Sequence, residues 1–334
     1  MTQRDRIREY CDKHPDLPHL TLARMVYNRH KAIFTSQRAV YDSIRRLRGS
    51  KAKHGNTKAK LKQVKYEGDS STVAYCYRAP KSMADDHTEY VIHGSQRILR
   101  LSDIHFPFHD REALDIALAY GVKHDPTLVL LAGDIADLPT FSNHPKLHPM
   151  DFIEQEMLML SEFFEGLRMM FPKARIVWQE GNHEVRFKRY LMQKAPELWA
   201  VPNMDLPGLV CAYGGPQAMH RVEWVDDCRV VRTGHLANLH GHEYRGGGGV
   251  NPARWLFLKA GENAICGHFH RTSEHSEPSL SRKQRGAWTT GCLSTLTPDW
   301  MRHTKWNTGF AWIDVEHDGN FRVKNIRIVD GKIR

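Results

Sequence analysis

Apolar residues recur at helical spacing three times within the first fifty positions. Ile7, Tyr10 and Cys11 form one set, Leu22, Met25 and Val26 a second, and Val40, Ile44 and Leu47 a third. Each set lies on one face of a 3.6-residue helix, so three short amphipathic helices are predicted. Thr21 and Ser36 stand where N-caps are expected, Pro15 and Pro18 divide the first helix from the second, residues 29–35 divide the second from the third, and Gly49 ends the third. Residues 50–68 are Lys-rich and almost without large apolar side chains, the composition of a solvated linker.

The period then changes. Residues 72–77 and 89–92 are possible strands, and residues 98–101 read as a clearer one. Leu114, Ala117, Leu118 and Gly121 share a helical face, residues 128–131 are an unbroken apolar run typical of a buried parallel strand, and Ile153, Met157, Leu160, Phe164 and Leu167 mark a long amphipathic helix. Residues 175–179 are the next strand. This alternation predicts an α/β fold, with ligands bound just past the strand ends. Beyond residue 200 the pattern becomes β-rich: residues 222–225, 230–232, 236–239, 287–290, 310–315 and 321–328 are strand candidates, the last two joined by an Asp318-Gly319 hairpin turn. Residues 246–249 form a mobile glycine loop, and Asn251-Pro252 cap and start a helix. The predicted domains are 1–49, helical; 50–68, linker; and 69–334, α/β.

Charge sharpens this division. Residues 1–65 hold 17 Lys and Arg against 5 Asp and Glu, although the whole chain of 334 residues carries only +10. A field concentrated in one small module points to a polyanionic partner. Six cysteines lie scattered without a C-x-x-C pair, which excludes a disulfide framework or thiolate zinc cluster and suits a reducing cytoplasm. The first ten residues have no apolar leader, and no run approaches a membrane span, so a cytoplasmic protein without membrane contact is expected.

The chemistry sits in five short motifs: Asp103-Ile104-His105, Gly133-Asp134-Ile135-Ala136-Asp137, Gly181-Asn182-His183-Glu184, His240-Gly241-His242 and Gly267-His268-Phe269-His270. Asp103 and His105, two apart on a strand exit, point the same way and can share one ion. Asp134 follows the next strand and has two oxygens, enough to bridge two ions. Asn182 adds an amide oxygen, and His240, His268 and His270 add imidazoles. Such an O and N set suits divalent Mn, Fe, Co, Ni or Zn without choosing among them. Two ions about 4 Å apart would hold a hydroxide between them and clamp two phosphoryl oxygens. His183, beside Asn182, is the candidate general acid for the leaving group.

In order and spacing these motifs resemble the calcineurin-like metallophosphoesterase superfamily, whose pattern is D-x-H, G-D-x-x-D, G-N-H-[DE], H and G-H-x-H, across about residues 97–328. The resemblance implies a sandwich of two mixed β-sheets flanked by helices. It also implies two divalent ions, manganese first and Fe, Zn, Co or Ni as alternatives. One ion is then held by Asp103, His105, Asp134 and His270, the other by Asp134, Asn182, His240 and His268, and His183 assists the leaving group. Of the nearby His235, His240 and His242, it favours His240, with His242 supporting a ligand or facing substrate. Asp137 and Glu184 become supporting carboxylates.

Arg186, Arg189, Tyr244, Arg245 and Arg271 adjoin the motifs and are candidate substrate contacts. His109 and His144 lie in loops expected to rim the site, and Trp288, Trp300, Trp306 and Trp312 are read as core or loop packing. In the basic module, the third helix offers Gln37, Arg38, Arg45, Arg46 and Arg48 to a DNA groove or to phosphates, in the manner of a helix-turn-helix. The whole resembles phage or mobile-element metallophosphoesterases with an N-terminal DNA-binding region. The leading expectation is a phosphodiesterase or nuclease acting on DNA or RNA. The alternatives are a phosphomonoesterase for proteins or nucleotides addressed by its N-terminal domain, and a DNA-binding regulator with a vestigial metal site. The native metal and the oligomeric state are not legible.

Overall fold

The computed structural model describes residues 2–48, 88–143, 152–226, 228–246, 249–298 and 301–334. The expected linker, the strand at 72–77, His144 and Trp300 lie outside them. The chain divides into two compact units, Met1–Asp85 and Asp86–Arg334.

In the first unit, α1 (Gln3–Lys13), α2 (His19–Arg29) and α3 (Gln37–Arg48) bury the three predicted apolar faces together: Ile7, Cys11, Leu22, Val26, Val40 and Ile44, with Phe34 from the intervening turn. Ser36 caps α3, its Oγ accepting the Ala39 N–H at 3.1 Å. Thr21 caps nothing, because α2 begins two residues earlier, after Pro18. The proline ring supplies a backbone angle suited to a helix entry, so the helix starts without a side-chain cap. Arg48 also departs from expectation. Instead of lying on the outward face of α3, its guanidinium donates to the carbonyls of Cys11 and Leu17, both at 2.8 Å, and of His14. These oxygens lie at the end of α1 and in the turn after it, so Arg48 closes the unit.

The second unit contains β1 (Tyr90–Ile92), β2 (Gln96–Leu101), α4 (Arg111–His124), β3 (Leu128–Ala132), α5 (Phe152–Met170), β4 (Arg175–Gln179), α6 (Val185–Lys194), α7 (Leu206–Gly214), β5 (Val222–Val225), β6 (Val231–Thr233), β7 (Leu236–Asn238), α8 (Pro252–Ala260), β8 (Ala264–Cys266), β9 (Ser273–Pro278), β10 (Gln284–Thr289), β11 (Gly309–Val315), β12 (Phe321–Val329) and β13 (Lys332–Ile333). They form two mixed sheets. One has six strands in the order β1-β6-β7-β8-β10-β9, the other seven in the order β13-β12-β11-β2-β3-β4-β5. β2, β3, β4 and β5 run parallel, and β11 joins β2 antiparallel.

The unbroken apolar run of β3 is explained by burial on both faces. Leu128, Leu130 and Ala132 point between the sheets, where they meet Ile98, Val177, Leu236 and Ile265, whereas Val129 and Leu131 pack under α4 and α5. Each such leucine contributes about 2 kcal/mol by leaving water. A smaller core under α8, from Leu256 and Phe257, covers the outer face of the six-stranded sheet. This is the two-sheet sandwich flanked by helices expected from the motifs.

The elements missed at the sequence level are α6, α7, β8, β9 and β13. β8 is too short to display a period. α7 (LPGLVCAYG) has two glycines and a proline, poor intrinsic helix formers, and relies on Leu206 and Val210 buried in the core shared with α5. Among the described residues no helix is long and apolar enough to cross a membrane.

Candidate metal centre

Every motif lies directly past the carboxyl end of a strand: Asp103 and His105 after β2, Asp134 after β3, Asn182 and His183 after β4, His240 after β7, His268 and His270 after β8. These ends are brought to one place. Asp103, His105 and His270 form one group whose potential ligand atoms lie within 4.8 Å of one another, Asp134, His240 and His268 a second, and His105, Asp137 and His183 a third. Asp134 stands between them, with Oδ2 at 3.1 Å from His240 Nε2, 3.7 Å from His183 Nε2 and 3.9 Å from His105 Nε2. Asn182 Oδ1 reaches within 3.1 Å of His240 Nε2.

The backbone is shaped to allow this convergence. Asp103, His105, Asp134, His268 and His270 all have φ between 53° and 63°, the left-handed region that non-glycine residues enter at a cost. Two motif glycines are explained by close approach. A Cβ on Gly133, whose φ is +84°, would lie 2.4 Å from the His240 ring, and one on Gly267 would lie 2.2 Å from Asp103 Oδ2. Glu184, fully buried, accepts the N–H groups of Asp134, Ile135, Ala136 and Gly181 and so fixes the Gly133 loop.

The donor arrangement suits a cation. His240 Nδ1 faces the Ala132 carbonyl at 3.0 Å and His105 Nδ1 faces Asp137 Oδ1 at 2.9 Å, so each ring donates outward and turns the lone pair of Nε2 inward. Those lone pairs meet other acceptors: Asp134 and Asn182 oxygens around His240, and His270 Nε2 at 3.3 Å from that of His105. Acceptors facing acceptors require protons or metal ions between them. The carboxylates favour protons in that place. Burial alone would lower His240 and His270, but Asp134 and Asp103 beside them outweigh it and raise each to about 10. Burial would raise the two carboxyls, yet the imidazoles hold both below the usual range. His268, which has no such carboxylate bond, is pushed down to about 4 by burial and the neighbouring His240.

His183 sits at the edge of the group. Its Nδ1 is 2.9 Å from Asp137 Oδ1, its backbone N–H donates to Asp134 Oδ1 at 2.9 Å, and Arg186 Nη2 lies 3.2 Å from its Nε2. Burial would lower its pKa, but Asp134 and Asp137 prevail and raise it. Arg186 also donates to the Asp137 carbonyl at 2.6 Å. Of the other histidines, His242 joins none of the three groups and contacts Cys228 Sγ at 3.3 Å, while His235 sits at the β11–β12 turn, its N–H bonded to Gly319 O. His109 packs on Phe106.

Among the expected substrate contacts, Arg189 and Arg245 are exposed, and Tyr244 is half-buried against Trp255. Arg271 donates to the carbonyls of Gly249 at 3.0 Å and Val250 at 2.7 Å; residues 247 and 248 of the expected glycine loop lie outside the described residues. Trp288 and Trp312 pack in the sheets, but Trp306 lies with its ring 4.2 Å from His270 and walls the site. No sequence signal separates Trp306 from the other tryptophans, since it arrives on a loop after β10.

A two-sheet sandwich with carboxylates, an amide and imidazoles gathered at its strand ends defines a metal-dependent phosphoester hydrolase. The family model of calcineurin-like phosphoesterases matches residues 96–272, and the chain belongs to that family, whose members work with divalent metal ions. It is 26% identical over 238 residues to the Gene 54 protein of Mycobacterium phage L5, covering 66% of this chain and 90% of that protein. With the Gene 54 protein of Mycobacterium phage D29 it shares 25% over 254 residues, covering 71% and 96%. Among solved structures it is similar to Vps29 of Entamoeba histolytica (12% identity, 71% and 96% covered, TM-score 0.39) and to the E. coli phosphoesterase Yfce (11%, 69% and 98%, 0.32).

Proposed function

We propose that this protein is a two-metal phosphodiesterase that cleaves nucleic acid. The observation carrying this reading is the convergence of lone-pair atoms from five strand ends around Asp134, with His183 held beside them. Asp103, His105, Asp134 and His270 would hold one divalent ion, and Asp134, Asn182, His240 and His268 the other. Bound there, the ions supply Lewis-acid charge for the phosphoryl oxygens and a nucleophile at neutral pH. Manganese is the first ion to test.

The chain's own groups do the rest. Asp137 orients His183 through Nδ1, and Nε2, which Arg186 Nη2 faces at 3.2 Å, would give its proton to the leaving oxygen once Arg186 engages the phosphate. Arg186, half-buried beside His183, has a guanidinium suited to a phosphate oxygen. Arg189, Tyr244 and Arg245, which adjoin the motifs in sequence, would be further substrate contacts. The preference for nucleic acid rests on the basic helical unit, where Arg38, Arg45 and Arg46 are exposed and Gln37 half-exposed on α3. Full-length protein with Mn should cleave DNA or RNA and prefer bis(p-nitrophenyl) phosphate to the monoester. No cleavage of any nucleic acid, or equal cleavage by Asp134→Ala and His183→Ala proteins, would sink the proposal.

A further inference from the structure

The atoms of the metal centre come from two different sheets. Asp103, His105, Asp134 and Asn182 follow strands of the seven-stranded sheet, whereas His240, His268 and His270 follow strands of the six-stranded one. Apolar contact between the sheets is non-directional; it resists separation but fixes sliding only loosely. A directional link lies immediately beneath the ligands, in one side chain.

Arg100 is fully buried on β2 and alternates with Leu99 and Leu101, so like Ile98 it points between the sheets. Its Nη2 donates to the carbonyl of Leu239, the residue before His240, at 2.9 Å. Its Nη1 donates to Thr290 Oγ1 at 3.2 Å and, at 3.4 Å, to the hydroxyl of Ser102, the residue before Asp103. Thr290 in turn donates its N–H to the carbonyl of Cys266 at 3.0 Å, two residues before His268. Across the same gap, the His268 N–H donates to Asp103 Oδ1 at 2.9 Å. Among the described residues no carboxylate lies within ion-pair distance of the guanidinium, and Nε has no acceptor. Its hydrogen bonds go to neutral oxygens, Asp103 and Glu243 attract it only through space, and burial outweighs that attraction, so the guanidinium is costly to bury; a long apolar side chain would avoid this cost while leaving the Leu239 carbonyl without its donor. Filling the core therefore gives little reason for an arginine here, whereas a three-point tether between ligand-bearing segments does.

We propose that Arg100 is a positioning residue of the metal centre, setting the spacing between the Asp103 side and the His240/His268 side and hence the binding of a pair of ions. This rests on the two-ion reading but not on the nucleic-acid substrate. The test is Mn(II) titration followed by electron paramagnetic resonance, with metal content and thermal melting, on full-length Arg100→Met, Arg100→Lys and Thr290→Val proteins. Arg100→Met, which also leaves the Leu239 carbonyl without this donor, is expected to melt a few degrees below the parent without metal and to bind Mn about 10- to 100-fold more weakly, the range for residues that orient ligands. Arg100→Lys should recover part of the loss, and Thr290→Val, which removes one anchor and keeps the charge, should show a smaller loss. Parental Mn affinity and stoichiometry in folded Arg100→Met would overturn the inference, as would a variant that melts lower while binding Mn normally. If Arg100→Met does not fold, Thr290→Val decides: weakened Mn binding supports the tether, and unchanged binding overturns it. A parent protein that takes up no Mn would overturn the two-ion reading and this inference together, whereas failure to cut nucleic acid by a protein that binds two ions touches only the substrate.

Discussion

Oδ1 of Asp137 lies 2.9 Å from Nδ1 of His183, and the same oxygen is 2.9 Å from Nδ1 of His105. One carboxylate thus orients both a candidate ligand and the candidate acid. Burial alone would raise the Asp137 carboxyl, but these two partners hold it below the usual range. Asp137→Asn removes the charge while keeping the size. It is expected to lower kcat on bis(p-nitrophenyl) phosphate by about 10- to 100-fold and to weaken Mn binding, with little change in melting. An unchanged kcat and unchanged Mn binding would show that His105 does not need this anchor.

His183→Ala should separate proton transfer from metal binding. Loss of a positioned acid costs about 10²- to 10⁴-fold. The loss should be large for DNA, whose alkoxide leaving group needs a proton, and small for p-nitrophenyl esters, whose leaving group is stable as an anion. Metal content should stay at the parental value. A uniform loss across both substrates would argue against the acid role.

Metal uptake should release protons. In the metal-free protein His240 and His270 are raised to about 10, after burial is outweighed by Asp134 and Asp103, so both are charged at pH 8. Metal ions need the neutral rings, and affinity should rise with pH toward about 10. Calorimetric titration with Mn at pH 8 should give heats that depend on the buffer's ionisation enthalpy; identical heats in all buffers would contradict this. For the metal-free fold the sign is opposite. The stabilisation from the two raised histidines is complete below the unfolded pKa of about 6.5 and lost as pH rises through about 10.

Glu156 on α5 provides a test of stability alone. It accepts the Leu138 N–H at 2.7 Å, and burial pushes its carboxyl well above the usual range, with Asp137 adding to the effect. A raised carboxyl favours the fold fully only below the unfolded value near 4.3, and this contribution is lost as pH climbs toward the folded value. Glu156→Gln keeps the acceptor and removes the charge. Its melting temperature should exceed that of the parent by a few degrees at pH 8 and match it at pH 4.

The arginines of α3 should divide by orientation. Arg45→Ala/Arg46→Ala, at exposed positions, should leave melting unchanged and reduce the salt dependence of DNA binding by a slope of about 2 if both meet phosphates. Arg48→Ala strips the donors from the carbonyls of Cys11, His14 and Leu17, and should destabilise the helical unit by about 1–3 kcal/mol. Equal loss of DNA binding without loss of stability in Arg48→Ala would reverse that assignment.

Much of the site was legible because its chemistry is local. D-x-H and G-H-x-H put lone-pair side chains at fixed intervals past short apolar runs, and β3 and the faces of α4 and α5 showed their burial in the spacing of leucines. Long flexible side chains were less readable. Arg48 and Arg271 look like phosphate binders by composition, yet both spend their donors on backbone carbonyls that lie far away in sequence.

The sequence by itself determined the fold class, the order of the metal-binding motifs and the concentration of charge in the first 65 residues, since each depends on residue type and near-neighbour spacing. Only the tertiary structure decided that His240 and not His242 faces Asp134, that five candidate ligands adopt left-handed backbone, that Trp306 walls His270, and that Arg100 spans the two sheets beneath them. Those features arise from atoms on two sheets meeting across a buried gap, and the strand period says which way a side chain points but not what waits on the other side.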